Sequence, residues 1–208
     1  DSPDAGEWGI RTVDTWEFIA RGIDCVVAVN QLPLIGRHNL ANALAACAMA
    51  SVLDVPSAAM RRGLMEFRGL PHRMQMVPTV DSICWIDDSK ATNEAAAVAS
   101  IRSVTGPLVL IAGGDAKGAG FSQLAAVLAD RDCTAVLLGR DADHIANALS
   151  GLCELHRVDN LKEAVRAAAG IAVPGSTVLL APACSSLDMF ANFADRGQQF
   201  AAAVRELA

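Results

Sequence analysis

The sequence predicts an α/β protein with a mostly parallel sheet flanked by helices, and three observations support that fold class. After Pro71, apolar segments of strand length alternate with segments of helix length, a rhythm typical of parallel sheets covered by helices. Hydrophobic residues make up 52% of the 208 residues, which is enough for a buried core and too many for a disordered chain. No apolar run reaches the roughly 18–20 residues that a membrane helix requires, so we expect no membrane insertion.

The chain opens with short predicted strands. Thr15–Ala20 and Cys25–Val29 have β-type composition, and Arg21–Asp24 between them is predicted to be a turn. Residues 38–53 are rich in Ala and Leu and predict a helix. A second helix is predicted at Ser57–Phe67, with Ser57 as a candidate N-cap beside a proline.

A domain boundary is predicted at Gly69-Leu70-Pro71, which separates residues 1–69 from residues 70–208. In the second domain, strands are predicted at Met74–Thr79, Ile83–Asp87, Leu108–Ala112, Ala135–Leu138, Cys153–Val158 and Thr177–Ala181. Helices are predicted at Glu94–Ser103, Phe121–Asp130, Ala142–Leu149, Leu161–Ala169 and Asp188–Leu207. Parallel sheets of this kind bind ligands beyond the carboxyl ends of their strands, so the segments after Asp87, Ala112 and Ala181 are the candidate site.

Those three segments are predicted to converge as loops on one edge of the sheet. We call them loop 1 (Asp87–Asn93), loop 2 (Gly113–Gly118) and loop 3 (Pro182–Asp188). Two of the three lysines of the chain, Lys90 and Lys117, lie in them, although Arg supplies nearly all the other positive charge. An ammonium differs from a guanidinium in reach and geometry, so this choice indicates chemistry at these two positions.

Several other polar residues admit both a binding and a structural interpretation. Gly113-Gly114 permits close approach of a ligand to the backbone or a tight turn. Ser186 and Asp188 could bind an anion or cap the last helix. Asn39 and Asn42 share one face of a helix start, where their amides could contact a base, although Asn39 could also be an N-cap.

Charge and cysteine content restrict the partners. The net charge is -6, with no basic tract, so we expect no nucleic-acid binding. None of the six cysteines forms a C-x-x-C pair, and we interpret them as small core residues of a cytoplasmic protein. His38 has no partner at zinc spacing, so no metal site is predicted in this chain.

Taken together, the polar segments resemble the Mur ligases, the ligases of peptidoglycan-precursor synthesis. The resemblance rests on five motifs in the family's order: GRHNLANALAA at 36–46, LPHR at 70–73, WIDDSKATN at 85–93, GGDAKG at 113–118 and APACSSLDMFANFADRG at 181–197. The DSKATN and SSLD segments are most similar to the D-glutamate-adding members. One departure is Ala116, where relatives often have a third glycine.

The resemblance implies a domain plan and an activity. Residues 1–69 would be the tail of a central ATP-binding domain, and 70–208 a Rossmann-like domain that brings the amino acid. The family phosphorylates a carboxylate with ATP and lets an amine attack the acyl phosphate, here joining D-glutamate to UDP-N-acetylmuramoyl-L-alanine. No G-x-x-x-x-G-K-[ST] phosphate loop is present, so we expect the 208 residues alone to be inactive and the Mg²⁺ ligands to lie mainly elsewhere. We expect a monomer.

The resemblance also implies roles for individual residues. Lys90 and Asp88 would be catalytic. The ATP-binding residues would be Asn39, Asn42, His72, Arg73, Asp88 and Lys90. The D-glutamate-binding residues would be Thr92, Lys117, Ser186, Leu187 and Phe193.

Two alternatives stay open at this stage. Another Mur-type ligase, or a Mur-like amidation subunit, would keep the fold and change the acceptor, and ligation assays with different amino acids would distinguish it. A non-catalytic nucleotide-binding module would be expected to lack Lys117, Ser186 or the Asp88–Lys90 pair, and this chain has all of them.

Overall fold

The computed structural model describes residues 2–33, 36–77 and 82–207. The chain divides into two units between Gly69 and Leu70, and each unit has its own sheet and its own core. The assignment of the first unit to a central ATP-binding domain stays a prediction.

The first unit combines an antiparallel sheet with two helices. Its strands β1 (Trp8–Val13), β2 (Trp16–Arg21) and β3 (Asp24–Ala28) lie in that order in the sheet. Helices α1 (Arg37–Val52) and α2 (Ser57–Glu66) follow. The core of this unit consists of Ile19, Val26, Val27, Leu40, Ala43, Cys47 and Met60.

Two details of the first unit differ from the sequence prediction. Strand β1 was not predicted, because Gly9 and Arg11 interrupt its apolar pattern; its pairing with β2 supplies the missing stabilisation. Ser57 is not an N-cap. Pro56 occupies the cap position, and its carbonyl accepts hydrogen bonds from the backbone N–H groups of Ala59 and Met60 at 2.8 and 3.1 Å.

The second unit contains the predicted mostly parallel sheet. Its strands are β4 (Gln75–Val77), β5 (Cys84–Asp87), β6 (Leu108–Gly113), β7 (Cys133–Leu138), β8 (Glu154–Arg157) and β9 (Thr177–Leu180). The spatial order is β4-β5-β9-β6-β7-β8, and only the edge strand β4 is antiparallel to its neighbour. The predicted strand Met74–Thr79 extends past β4, and its residues 78 and 79 lie outside the described residues.

Five helices cover this sheet: α3 (Glu94–Arg102), α4 (Ser122–Leu128), α5 (Ala142–Leu149), α6 (Leu161–Ile171) and α7 (Phe193–Arg205). The last helix begins five residues later than predicted. Asn192 is its N-cap, and its side-chain oxygen accepts the Asp195 N–H at 2.9 Å. Ser186 and Asp188 therefore do not cap it; the Ser186 carbonyl instead accepts the N–H groups of Met189 and Phe190, which close a separate turn.

The strand order explains where the site forms. Strands β5, β9 and β6 are adjacent in the middle of the sheet, and nearly all their residues are buried, as expected for strands covered on both faces. Loops 1, 3 and 2 leave the carboxyl ends of these strands side by side. Among the described residues, none of the helices combines the length and apolarity needed to cross a bilayer.

Candidate functional site

Backbone hydrogen bonds join the three loops at the carboxyl edge of the sheet. The Asp115 and Ser185 backbones exchange two hydrogen bonds of 3.0 and 2.9 Å, which fix loop 2 against loop 3. The Ala183 N–H donates to the Ala91 carbonyl at 3.0 Å, which fixes loop 3 against loop 1. The predicted convergence is therefore a hydrogen-bonded framework rather than mere proximity.

The framework surrounds a pocket of about 550 Å³, which we call the loop pocket. Its lining includes both loop lysines, Lys90 and Lys117, and the hydroxyl residues Thr92 and Ser186. All five residues predicted for amino-acid binding line it: Thr92, Lys117, Ser186, Leu187 and Phe193. The geometry brings these residues together, and their role in binding stays a prediction.

The glycine pair of loop 2 has a structural reason. Both glycines have φ of +130°, a conformation that side chains disfavour. A Cβ on Gly113 would lie 1.8 Å from the Leu138 carbonyl oxygen, and a Cβ on Gly114 would lie 2.2 Å from that of Ser185. The close approach that these glycines permit is to strand β7 and loop 3. These contacts are sufficient to explain why both positions are glycine, without a ligand that approaches their backbone.

Lys117 follows the glycine pair in a left-handed conformation, with φ of +51°. Its N–H donates to the Asp115 carboxylate at 3.0 Å, a local turn that stabilises this backbone. The residue is exposed at the pocket, and the structure places no carboxylate within ion-pair distance of its ammonium among the described residues. That ammonium is therefore available to an anionic ligand.

Lys90 also lines the loop pocket, and it is held at its backbone and along its side chain. Its N–H donates to the His72 carbonyl at 3.0 Å. Its Nζ lies 4.0 Å from the ring centroid of Phe193, a cation–π contact with the first residue of α7. The contact orients the ammonium without neutralising it.

The two carboxylates at the end of β5, Asp87 and Asp88, are buried and form hydrogen bonds with other groups of the protein. Asp87 Oδ2 lies 2.7 Å from His72 Nδ1, and Oδ1 accepts the Ser89 N–H at 2.9 Å. Asp88 accepts the Met74 N–H at 3.3 Å and the Ser100 hydroxyl. These contacts clamp residues 72–74 onto loop 1, so both carboxylates have a structural use. The nucleotide role of Asp88 stays a prediction.

His72 and Arg73, which are also predicted for ATP binding, are not among the residues that line the loop pocket. His72 is half-buried against Asp87, and Arg73 beside it is exposed. Asn39 and Asn42 lie in the first turns of α1. Asn39 is not an N-cap, because Gly36 occupies that position and accepts the Asn39 N–H at 3.1 Å.

Arg196 is a buried residue to which the sequence assigned no role. Its side chain is only 2% exposed. Its guanidinium donates to the hydroxyl and carbonyl of Ser89, each at 2.9 Å, and to the Cys184 carbonyl at 3.3 Å. Burial lowers the pKa of Arg196 to about 10. Arg196 thus ties loop 1 to loop 3 beneath the pocket; its only sequence signal was its place in the FADRG motif.

A second set of polar residues supports loop 2 from the end of β7. The Asp141 carboxylate accepts the Ala116 N–H at 2.6 Å, and Arg140 donates to the Asp115 carboxylate at 3.0 Å. The Arg140 N–H donates to the Asp188 carboxylate at 2.9 Å, so the same segment also holds loop 3. This support was not predicted, because the residues are distant in sequence and belong to no motif.

The acidic residues near the pocket do not make a metal site. Within residues 2–33, 36–77 and 82–207, no cluster of three or more His, Cys, Asp or Glu is arranged to hold a metal ion. A hard cation takes several oxygen ligands, so the described residues do not by themselves supply a complete set.

Comparison with known proteins places these features in a family. Residues 72–184 match the family described as "Mur ligase, glutamate ligase domain". The chain is 45% identical over 209 residues to the UDP-N-acetylmuramoylalanine--D-glutamate ligase of Nitrosococcus oceani, covering 99% of this chain and 46% of that protein. It is 47% identical over 213 residues to the protein of the same name from Pseudomonas aeruginosa, covering 100% and 47%.

Solved structures show the same fold at lower identity. A UDP-N-acetylmuramate-alanine ligase from Thermotoga maritima matches with a TM-score of 0.66 at 19% identity, over 93% of this chain and 43% of that one. A bifunctional folylpolyglutamate synthase/dihydrofolate synthase from Yersinia pestis matches with a TM-score of 0.66 at 21% identity, over 96% and 46%. The chain spans about half the length of the relatives that it matches.

Proposed function

The chain belongs to the Mur ligase family, and on that premise we propose that it forms part of an ATP-dependent ligase joining D-glutamate to UDP-N-acetylmuramoyl-L-alanine. The relatives that carry this name are 42–47% identical to it over nearly its whole length. Because the chain spans only about half of those relatives, the complete reaction belongs to the longer protein, and this chain contributes the amino-acid pocket.

The observation that carries the proposal is the composition of the loop pocket. D-Glutamate has two carboxylates and one amine, so its site needs cations and hydrogen-bond donors for the carboxylates and a free path for the amine. Lys117 offers an ammonium with no carboxylate within ion-pair distance in the described part of the chain, while Thr92 and Ser186 offer hydroxyl groups in the same pocket. Charge-assisted hydrogen bonds of this kind are the strong ones in proteins.

The protein's part in the chemistry is to position groups and to stabilise charge. The substrate carboxylate is phosphorylated by ATP, and the amine of D-glutamate attacks the acyl phosphate to give an amide and free phosphate. Lys90, which contacts Phe193 and lines the pocket, is the residue we propose to stabilise negative charge on the transferred phosphoryl group. We propose that ATP is bound by Asn39, Asn42, His72, Arg73 and Asp88.

We assign no step to a metal ion held by this chain. Magnesium would complete its ligands from phosphate oxygens, water and residues outside the 208, as its preference for few protein ligands allows.

The direct test of the proposed substrate is an acceptor panel with the full-length ligase. Ligation of UDP-N-acetylmuramoyl-L-alanine is measured with D-glutamate, L-glutamate, L-alanine and a diamino acid at equal concentration. We expect D-glutamate to be used and the others to be poor acceptors. L-Alanine has only one carboxylate for Lys117 and the two hydroxyl groups, and the carboxylate that lines the pocket, Asp115, is paired with Arg140 and is not free for a second amine. Preferred use of the diamino acid or of L-alanine would assign the chain to a different ligase.

A further inference from the structure

Two cysteines of the second unit are neighbours across the sheet. Cys133 begins β7, and Cys153 directly precedes the edge strand β8. In the parallel register, Thr134 aligns with Glu154 and Leu137 with Arg157, so one step back sets Cys133 beside Cys153. Both are free thiols, and the Cys133 thiol donates to the Thr134 carbonyl at 3.6 Å.

We propose that Cys133 and Cys153 are a modification site: a dithiol that low-molecular-weight disulfides oxidise to an intramolecular disulfide. Adjacent strands lie about 4.7–4.9 Å apart, and disulfides join Cα atoms separated by about 4.4–6.8 Å. Aligned residues of parallel strands direct their side chains to the same face, so a cross-link between these two positions is compatible with the spacing of the sheet.

The two thiols differ in exposure and in pKa, and this difference decides which of them attacks the oxidant. Cys153 is partly exposed at the sheet edge, whereas Cys133 is buried. The Cys133 side chain lowers the pKa of Cys153, while the Cys153 side chain and burial raise the pKa of Cys133. Cys153 is therefore the attacking thiolate and Cys133 the resolving thiol.

The reaction balances with a disulfide such as oxidised glutathione as the two-electron oxidant. The Cys153 thiolate attacks one glutathione sulfur, forms a mixed disulfide and releases one glutathione thiolate, which takes up a proton. Cys133 then loses its proton, attacks the Cys153 sulfur and releases the second glutathione thiolate. The protein ends with one disulfide, and the oxidant ends as two thiols.

The disulfide would close a covalent loop from Cys133 to Cys153, and helix α5 lies within that loop. This segment includes Arg140 and Asp141, which hold loop 2 and loop 3. Both sulfurs lie at the amino ends of their strands, opposite the loop pocket, so the disulfide should stabilise the second unit without blocking the site. This function is independent of the proposed ligase reaction.

Peptide mapping tests the proposal directly. The 208-residue protein is treated with oxidised glutathione, its free thiols are blocked with N-ethylmaleimide, and it is digested with trypsin without reduction. Cleavage after Arg131, Arg140 and Arg157 puts the two cysteines in separate peptides, 132–140 and 141–157. We expect these peptides to be linked, and the melting temperature of the oxidised protein to rise by roughly 5 °C or more, reversibly with dithiothreitol.

Variants separate the roles of the two thiols. Cys133→Ala should leave Cys153 as a stable mixed disulfide with glutathione, and Cys153→Ala should leave Cys133 reduced. Cys25→Ala is the matched control, because Cys25 is exposed in the first unit, and the cross-link should form unchanged. Wild-type protein in which Cys25 is fully modified while peptides 132–140 and 141–157 stay unlinked would overturn the proposal, whatever the variants do.

Discussion

At the residue scale, the candidate site depends on buried polar residues beneath the pocket as much as on the residues that line it. Arg196 bonds to Ser89 and Cys184, two residues on different loops, from a position with almost no exposure. A charge held this way is favourable only while all its partners stay in place. Such a residue is recognised from its neighbours and not from its own sequence position.

Removing the guanidinium of Arg196 should therefore destabilise the second unit. In Arg196→Met the stem is kept, but the buried carbonyls of Ser89 and Cys184 lose their donor, at about 1–3 kcal/mol for each unsatisfied group. We expect the free energy of unfolding to fall by about 3 kcal/mol or more, measured by urea denaturation.

Arg205→Met is the matched control for that variant, since Arg205 lies in the same helix and is exposed. Its unfolding free energy should stay within about 0.5 kcal/mol of wild type. Equal stability of the two variants would mean that Arg196 does not hold the loops together.

Cys184 adds a pH dependence that can be measured. Burial, with Asp141 next in importance, raises the pKa of its thiol from 9.0 to about 12. In the unfolded chain the thiol ionises first, so its contribution to stability is complete below pH 9.0 and is lost as the pH rises toward 12.

We expect the unfolding free energy of wild type to fall between pH 9 and 11 more steeply than that of Cys184→Ala, by at most about 1.4 kcal/mol per pH unit. The urea midpoint of both proteins, measured at intervals across this range, gives the two slopes. Parallel slopes would show that Cys184 titrates alike in the folded and unfolded chains.

At the scale of elements, helix α7 is packed against loop 1 too closely for a side chain at Gly197. A Cβ there would lie 2.1 Å from His72 Nδ1 and 2.7 Å from Asp87 Oδ2. Gly197→Ala should therefore lower the unfolding free energy by about 1–3 kcal/mol through overpacking, although alanine is the better helix former. Thermal denaturation of the variant measures the loss.

Gly170→Ala in α6 gives the opposite expectation, because nothing lies within 4 Å of the added Cβ. It should be neutral or stabilise the protein by up to about 1 kcal/mol. If Gly197→Ala proved as stable as Gly170→Ala, the contact between α7 and His72 would not constrain the fold.

Comparing predicted with observed elements shows how much of the fold the sequence could predict. Central strands such as Leu108–Gly113 were predicted almost to the residue, because a continuous apolar run bounded by turn residues specifies a buried strand. The start of α7 was missed, because Ser186 and Asp188 look like caps and only the hydrogen bonds around Ser186 show that they close a separate turn. The motifs were sufficient to predict residues that line the loop pocket. The supporting roles of Arg140, Asp141 and Arg196 could be identified only from the tertiary structure.

At the scale of the whole molecule, the loop pocket carries local positive charge although the protein as a whole is acidic. The chain carries a net charge of -6, yet two of its three lysines line one pocket on the second unit. An anionic ligand of this pocket would therefore be attracted by local cations and repelled by the remainder of the protein. Lys162, the third lysine, forms an exposed ion pair with Glu206 at 2.5 Å and has no part in this site.

The central claim is that Lys117 holds a carboxylate of D-glutamate, and one titration in the full-length ligase tests it. D-Glutamate is varied at saturating ATP and UDP-N-acetylmuramoyl-L-alanine for wild type, Lys117→Met and the control Lys162→Met. A lost charge-assisted contact costs about 1.5–3 kcal/mol, so we predict that kcat/KM for D-glutamate falls at least about tenfold in Lys117→Met, with KM for ATP nearly unchanged and Lys162→Met like wild type. The same D-glutamate dependence in all three proteins would contradict the account and leave loop 2 as a structural turn.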